Sequence, residues 1–191
     1  MYFKRYNNNK KGGTSMKVLI TYSSKTGNTK KIANEVAKEV TKLYPQADFK
    51  NIDEVVEFDY DIIFLGGWID RGNFNKEVEC RLDSIKNKNV AFFFTLGAYS
   101  TSMHAYDCIT NIRTALDKSN NRVINHFHCM GPVSKDLKER MAKLPKDHPH
   151  YPDEARLKRW ACSESHPNEE DFEAARSFVS GTFKALNNKR V

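Results

Sequence analysis

Short apolar runs alternate along this chain with longer stretches in which apolar residues recur every three or four positions. The clearest runs are residues 16–22, 60–67 and 90–96. The last, Val90-Ala91-Phe92-Phe93-Phe94-Thr95-Leu96, is apolar on both faces, as an interior parallel strand requires. Between the first two runs, Ile32, Val36, Val40 and Leu43 share one face of a helix over 28–43 that Pro45 stops, and a short second strand is expected at 47–52. A polar helix is expected over 75–86, another helix over 102–118, and a fifth strand over 122–129. Periods that alternate in this way predict an α/β fold with a parallel sheet and crossover helices.

The last third is less regular. A helix near 135–144 leads into a Pro- and His-rich excursion over 145–152 and then a final helix whose buried stripe is Phe172, Ala175, Val179, Phe183 and Leu186. His166-Pro167-Asn168-Glu169-Glu170-Asp171 is a strong start for that helix, with proline near the first turn and acids along the dipole. No internal repeat is visible.

A length of 191 residues suits one domain. No apolar run is long enough to span a bilayer and the N-terminus lacks the apolar core of a signal peptide, so a soluble, cytoplasmic protein without a membrane partner is expected. Cys80, Cys108, Cys129 and Cys162 form no Cys-x-x-Cys pair and read as idle thiols in a reducing compartment. The net charge of +7 raises nucleic acid as a partner, but its distribution argues against one. Residues 1–15 hold Lys4, Arg5, Lys10 and Lys11 and no acid, leaving +3 for the rest. That Asn- and Gly-rich segment has no periodicity and is expected to be a disordered tail ahead of a single domain over 16–191.

The candidate chemistry lies in residues 18–36, where an apolar strand breaks into a hydroxyl-rich loop and at once becomes an amphipathic helix. Ser23, Ser24, Thr26 and Thr29 offer hydroxyls, Gly27 permits close approach of the backbone, and free N–H groups at the helix start point to the same place. A single glycine excludes both the P-loop and the dinucleotide-binding fingerprint. The order Tyr22, Ser23, Ser24, Lys25, Thr26, Gly27, Asn28, Thr29, followed by Ala33 and Val36, resembles the flavodoxin signature, with Thr21 standing where that family usually has an apolar residue. The resemblance implies a three-layer, doubly wound parallel five-stranded sheet in the order 2-1-3-4-5. It also implies FMN as cofactor, its phosphate held by Ser24, Lys25, Thr26, Gly27, Asn28 and Thr29. In such a sheet the ligand lies outside the carboxyl ends of the first, third and fourth strands.

After the third strand comes Gly66-Gly67-Trp68-Ile69-Asp70-Arg71-Gly72-Asn73, read as a loop in the position where flavodoxins place an aromatic against the flavin. Trp68 is the natural stacker, flanked by Gly67 and by Ile69, whose β branch resists positive φ. The loop after the fourth strand, with Thr95, Gly97, Ala98 and Tyr99, resembles the second flavin-enclosing loop. There Tyr99 is a candidate for the opposite ring face, and the backbone N–H groups of 97–99 for its polar edge.

Six histidines raise a metal site, and His126 and His128 share a strand face, but no third ligand has recognisable spacing and no metal is expected. Cys129-Met130-Gly131, Arg140 and residues 165–171 are similar to the flavodoxin-like proteins that accompany bacterial bilirubin reductases. The leading expectation is therefore an FMN-binding electron carrier whose redox partner is a bilirubin reductase, with no catalytic residue of its own. The alternatives are an NAD(P)H-dependent FMN oxidoreductase acting on quinones or nitro compounds, and a flavin-free interaction module of the same fold. A phosphoacceptor domain needs acids where this chain has Ser23-Ser24 and Gly66-Gly67.

Overall fold

The computed structural model describes residues 16–188, so the tail expected over 1–15 lies outside the described residues. Six strands form one sheet: β1 (Val18–Tyr22), β2 (Asp48–Asn51), β3 (Ile62–Asp70), β4 (Asn73–Phe74), β5 (Asn89–Leu96) and β6 (Arg122–Met130). Five of them are parallel, in the order β2-β1-β3-β5-β6. This is the expected 2-1-3-4-5 arrangement once the two-residue β4, antiparallel to the tip of β3, is set aside. The helices are α1 (Asn28–Leu43), α2 (Lys76–Glu79), α3 (Met103–Asp117), α4 (Lys135–Ala142), α5 (Glu154–Ser163) and α6 (Glu169–Asn187).

Alternation along the central strands divides the core in two. Leu19, Ile63, Leu65, Phe92 and Phe94 face Val78 of α2 and Ala105, Ile109, Ile112 and Leu116 of α3. Ile20, Ile62, Phe64 and Phe93 face Ile32, Val36 and Val40 of α1 and Ala175, Phe178, Val179, Phe183 and Leu186 of α6. Each such side chain contributes about 1.5–3 kcal/mol on burial. Gly66 lets the Phe93 ring lie across β3, since a Cβ there would stand 2.3 Å from the ring. Asn168 caps α6 in a capping box: its side chain accepts from the N–H groups of Glu170 and Asp171, and the Asp171 carboxylate accepts from its N–H.

Four details depart from the sequence pattern. Leu43 is half exposed in the last turn of α1, and Phe172 is only partly buried. The helix expected over 75–86 is one short turn, α2, followed by a 3-10 turn at Leu82–Ser84. Phe74, Val78, Leu82 and Ile85 all bury in the core layer that α3 shares, and that packing overrides the polar helical pattern. The helix α5 was not legible because it buries only Trp160 and Ser163 and leaves Leu157 exposed, so it has no apolar stripe.

Candidate functional site

The chain leaves β1 tied to its neighbours: the Ser23 N–H donates to the Gly66 carbonyl (3.1 Å), and the Ser23 hydroxyl accepts from Asn75 Nδ2 (2.9 Å). In the next turn Ser24 Oγ accepts from the Lys30 N–H (3.2 Å) and Thr26 Oγ1 accepts from Asn28 Nδ2 (3.0 Å). An accepting hydroxyl still has its proton to donate, so both side chains keep an O–H for a ligand. Gly27 begins α1 at φ 88 with no side-chain cap, and nothing lies within 4 Å of where its Cβ would stand. No acid occupies the first turn. Hydroxyls, uncovered helix N–H groups and an open cradle without a carboxylate fit a phosphate.

Thr29 turns inward instead. Its buried hydroxyl shares a hydrogen bond with Thr95 Oγ1 (2.9 Å) and reaches the Gly67 carbonyl (3.4 Å), joining the loop to β5 and β3. Thr21, the departure from the family pattern, is fully buried with no partner for its hydroxyl.

The segment expected to be a loop after the third strand is a hairpin. β3 runs on to Asp70, Ile69 pairs with Phe74, Asp70 pairs with Asn73, and Arg71 and Gly72 make the turn with φ 50 and 84. Two positive φ values in a two-residue connection define a type I′ turn, which matches the strand twist. Ile69 is thereby extended and packs on the core, while Trp68 projects from the other face, half-buried, with Lys25 Nζ 5.7 Å from its ring centroid. Asn75, fully buried, holds this arrangement together. Its Oδ1 accepts from the Trp68 N–H (3.0 Å), and its Nδ2 donates to Ser23 Oγ and to Glu77 Oε2 (2.6 Å). That bond is the main cause of the lowered Glu77 pKa.

At the end of β5, Gly97 accommodates Val133, whose Cγ2 would stand 2.4 Å from a Cβ there. Ala98 packs against the core and Tyr99 is 43% exposed, its carbonyl accepting from Ser102 at the start of α3.

These walls enclose a cavity of about 460 Å³ outside the carboxyl ends of the strands. Of the candidates named from sequence, Lys25, Thr26, Asn28, Thr29, Trp68, Ile69, Thr95 and Gly97 line it, whereas Ser24, Gly27, Gly67, Ala98 and Tyr99 do not. Sequence reasoning missed Asn75 and an entire wall: Gly131, Pro132, Val133, the α4 cap Ser134 and, from α4, Leu137 and Arg140. Asn28 Nδ2 donates to the Pro132 carbonyl (3.3 Å), which fixes that wall to the start of α1. Applying the carboxyl-end rule to the fifth parallel strand as well would have found it. A second cavity, about 510 Å³, opens at the amino ends of the strands between Lys17, Asp48, Glu57, Asp59 and Tyr60.

His126 and His128 stack on Phe92 and Phe94 with ring centroids 5.6 and 5.0 Å apart. Burial, then the Arg113 cation, pushes the His126 pKa down to about 4, so this ring packs as neutral imidazole. Among the described residues no group of three or more His, Cys, Asp or Glu is arranged to hold a metal ion. The four thiols are free, and burial raises the pKa of Cys108 and Cys129.

The fold and the cavity define a flavodoxin-type protein, and comparison with known proteins agrees: the flavodoxin domain model matches residues 19–180. The chain belongs to the flavodoxin family, whose cofactor is FMN. The flavodoxin-like domain-containing protein BilS of Clostridioides difficile (strain CD3) is 35% identical over 172 residues, 86% of this chain and 94% of that protein. An uncharacterized protein of Methanocaldococcus jannaschii is 30% identical over 153 residues, 78% of this chain and 97% of that one. Among solved structures, oxidised flavodoxin 2 from Bacillus cereus superposes with a TM-score of 0.58 at 17% identity, covering 88% of this chain and 98% of that one, a likeness of fold.

Proposed function

We propose that this protein carries FMN and passes electrons to a partner reductase, in the finer reading a bilirubin reductase. The observation that carries the reading is the opening onto one cavity of Lys25 and Thr26, the first residues of α1 and the face of Trp68, beside the open left-handed cap at Gly27. Ser24 and Thr26 donate their hydroxyl protons to the phosphate, and the first N–H groups of α1 add the charge-assisted hydrogen bonds that distinguish a phosphate from a neutral ligand. Trp68 offers a flat apolar face to the ring. Bound FMN supplies the reversible uptake and release of electrons, so no side chain of the cavity is required as acid or base.

The similarity to BilS, and the resemblance at residues 129–131, 140 and 165–171 to proteins that accompany bilirubin reductases, support the finer reading. Four free thiols suit the cytoplasm as its place of action. No helix among the described residues is long and apolar enough to cross a membrane.

Purification is the test. A yellow protein that releases FMN on denaturation supports the reading, and a colourless protein that takes up no FMN when offered it overturns the reading in favour of a flavin-free module. NAD(P)H oxidation by the purified protein alone, with quinones or nitro compounds as acceptors, would make it an oxidoreductase in its own right.

A further inference from the structure

We propose that the surface of α4 and the segment leading to α5, beside the cavity, is a docking site for an acidic redox protein. The proposal rests on the electron-carrier reading above. Residues 131–168 leave the carboxyl end of β6 and rejoin the fold at the start of α6, whose Asp171 acts electrostatically on Cys129 in β6, so the excursion begins and ends at one end of the sheet. The excursion over 131–168 holds eight basic and six acidic side chains, a net +2. That is most of the +3 that residues 16–191 carry. The positive character is gathered where electrons would enter and leave.

Three cations at the cavity, Lys25, Arg71 and Arg140, make no ion pair among the described residues; the acids that oppose them are Asp70 in the lining and Glu77, which acts on Lys25. The helix α4 buries none of its residues, and Leu137 at the cavity mouth is 40% exposed. An apolar side chain inside a ring of cations has the anatomy of a transient protein interface, with an apolar centre and a charged rim. Lys143 and Lys146 extend the positive surface outside the cavity, beyond the reach of a small anion held within it. Charge of one sign around a cleft steers oppositely charged partners and raises their encounter rate while the interface itself stays weak. At each encounter one electron crosses from the reduced centre of the donor to the oxidised centre of the acceptor, and no bond is made or broken between the proteins.

The test uses FMN-loaded full-length protein and, as donor, a reduced ferredoxin of net negative charge, with ferricyanide oxidation of the reduced protein as the small-anion comparison. Lys143→Glu with Lys146→Glu reverses charge on the proposed surface without touching the cavity. Lys42→Glu with Lys118→Glu makes the same change in net charge at the opposite end. The first pair should slow flavin reduction by ferredoxin about tenfold at low salt, with the gap closing as salt rises, and the second pair should leave it within about twofold. Equal slowing by both pairs assigns the effect to net charge and overturns the proposal, as does no slowing by either. Slowing with ferricyanide alone also overturns it, in favour of a small-anion site. If the unsubstituted protein retains no FMN, the carrier reading has failed, and that is seen before any rate is measured.

Discussion

The sheet opens into a cavity at each end, about 510 Å³ at the amino ends and about 460 Å³ at the carboxyl ends, and the larger has the weaker claim to a ligand. At the amino ends the charged groups other than Glu57 are provided with partners. Lys17 pairs with Asp59 (2.7 Å), and Tyr60 donates to Asp48 (2.5 Å), which also pairs with Lys50 (3.1 Å). The hydrogen bond from Tyr60, then that from Lys50, lowers the Asp48 pKa, the behaviour of an acid already provided with partners. At the carboxyl ends two hydroxyl protons and the Arg71 and Arg140 guanidiniums are uncommitted, and Gly27 leaves the start of α1 without a side-chain cap. Uncommitted hydrogen-bonding capacity, more than volume, separates a site from a crevice.

The sharpest way to break that comparison is to strip the donors from the carboxyl end. Ser24→Ala with Thr26→Ala should weaken FMN by about 1.5–3 kcal/mol for each hydrogen bond lost to the charged phosphate, while riboflavin, which lacks it, is nearly unaffected. Titrating both ligands checks this, and an equal loss for both would move the phosphate elsewhere. Thr21→Val replaces a buried hydroxyl without a partner by an apolar group of the same shape and should raise unfolding free energy by about 1 kcal/mol, measured by denaturant titration, with FMN affinity unchanged.

A smaller effect belongs to neither end. The folded pKa of His126 lies near 4, below its unfolded value, so the unfolded chain binds the proton first. Stability should therefore decline as pH falls from about 6.5 toward about 4, and His126→Phe should flatten that decline in denaturation curves taken across the window. Truncation to Met16, at the edge of the amino-end cavity, should change neither melting temperature nor FMN affinity. A large loss of either would give the amino end a role it has not been assigned.

The parallel sheet, α1 and the donor loop were legible because each rests on local signals: an apolar run, a helical stripe, a single glycine among hydroxyls. The wall from Pro132 to Arg140 was not, since α4 buries nothing and its position depends on Asn28, more than a hundred residues earlier in the chain. The hairpin at 69–74 was hidden for a different reason. Arg71 gives no turn signal, and only Gly72 hinted that the third strand would double back on itself. Asn75 read only as the first residue of a polar helix, because polar side chains announce themselves in sequence only when their partners are near.

Through that one amide the donor loop, the strand that bears Trp68 and the first turn of α2 are fastened together, and Thr29 bonded to Thr95 adds a second rivet across the same floor. A site so braced rearranges little when its charge changes, since the dipoles that meet an incoming electron are already in place. Low reorganisation energy of this kind leaves the speed of exchange to how often, and how closely, two proteins meet.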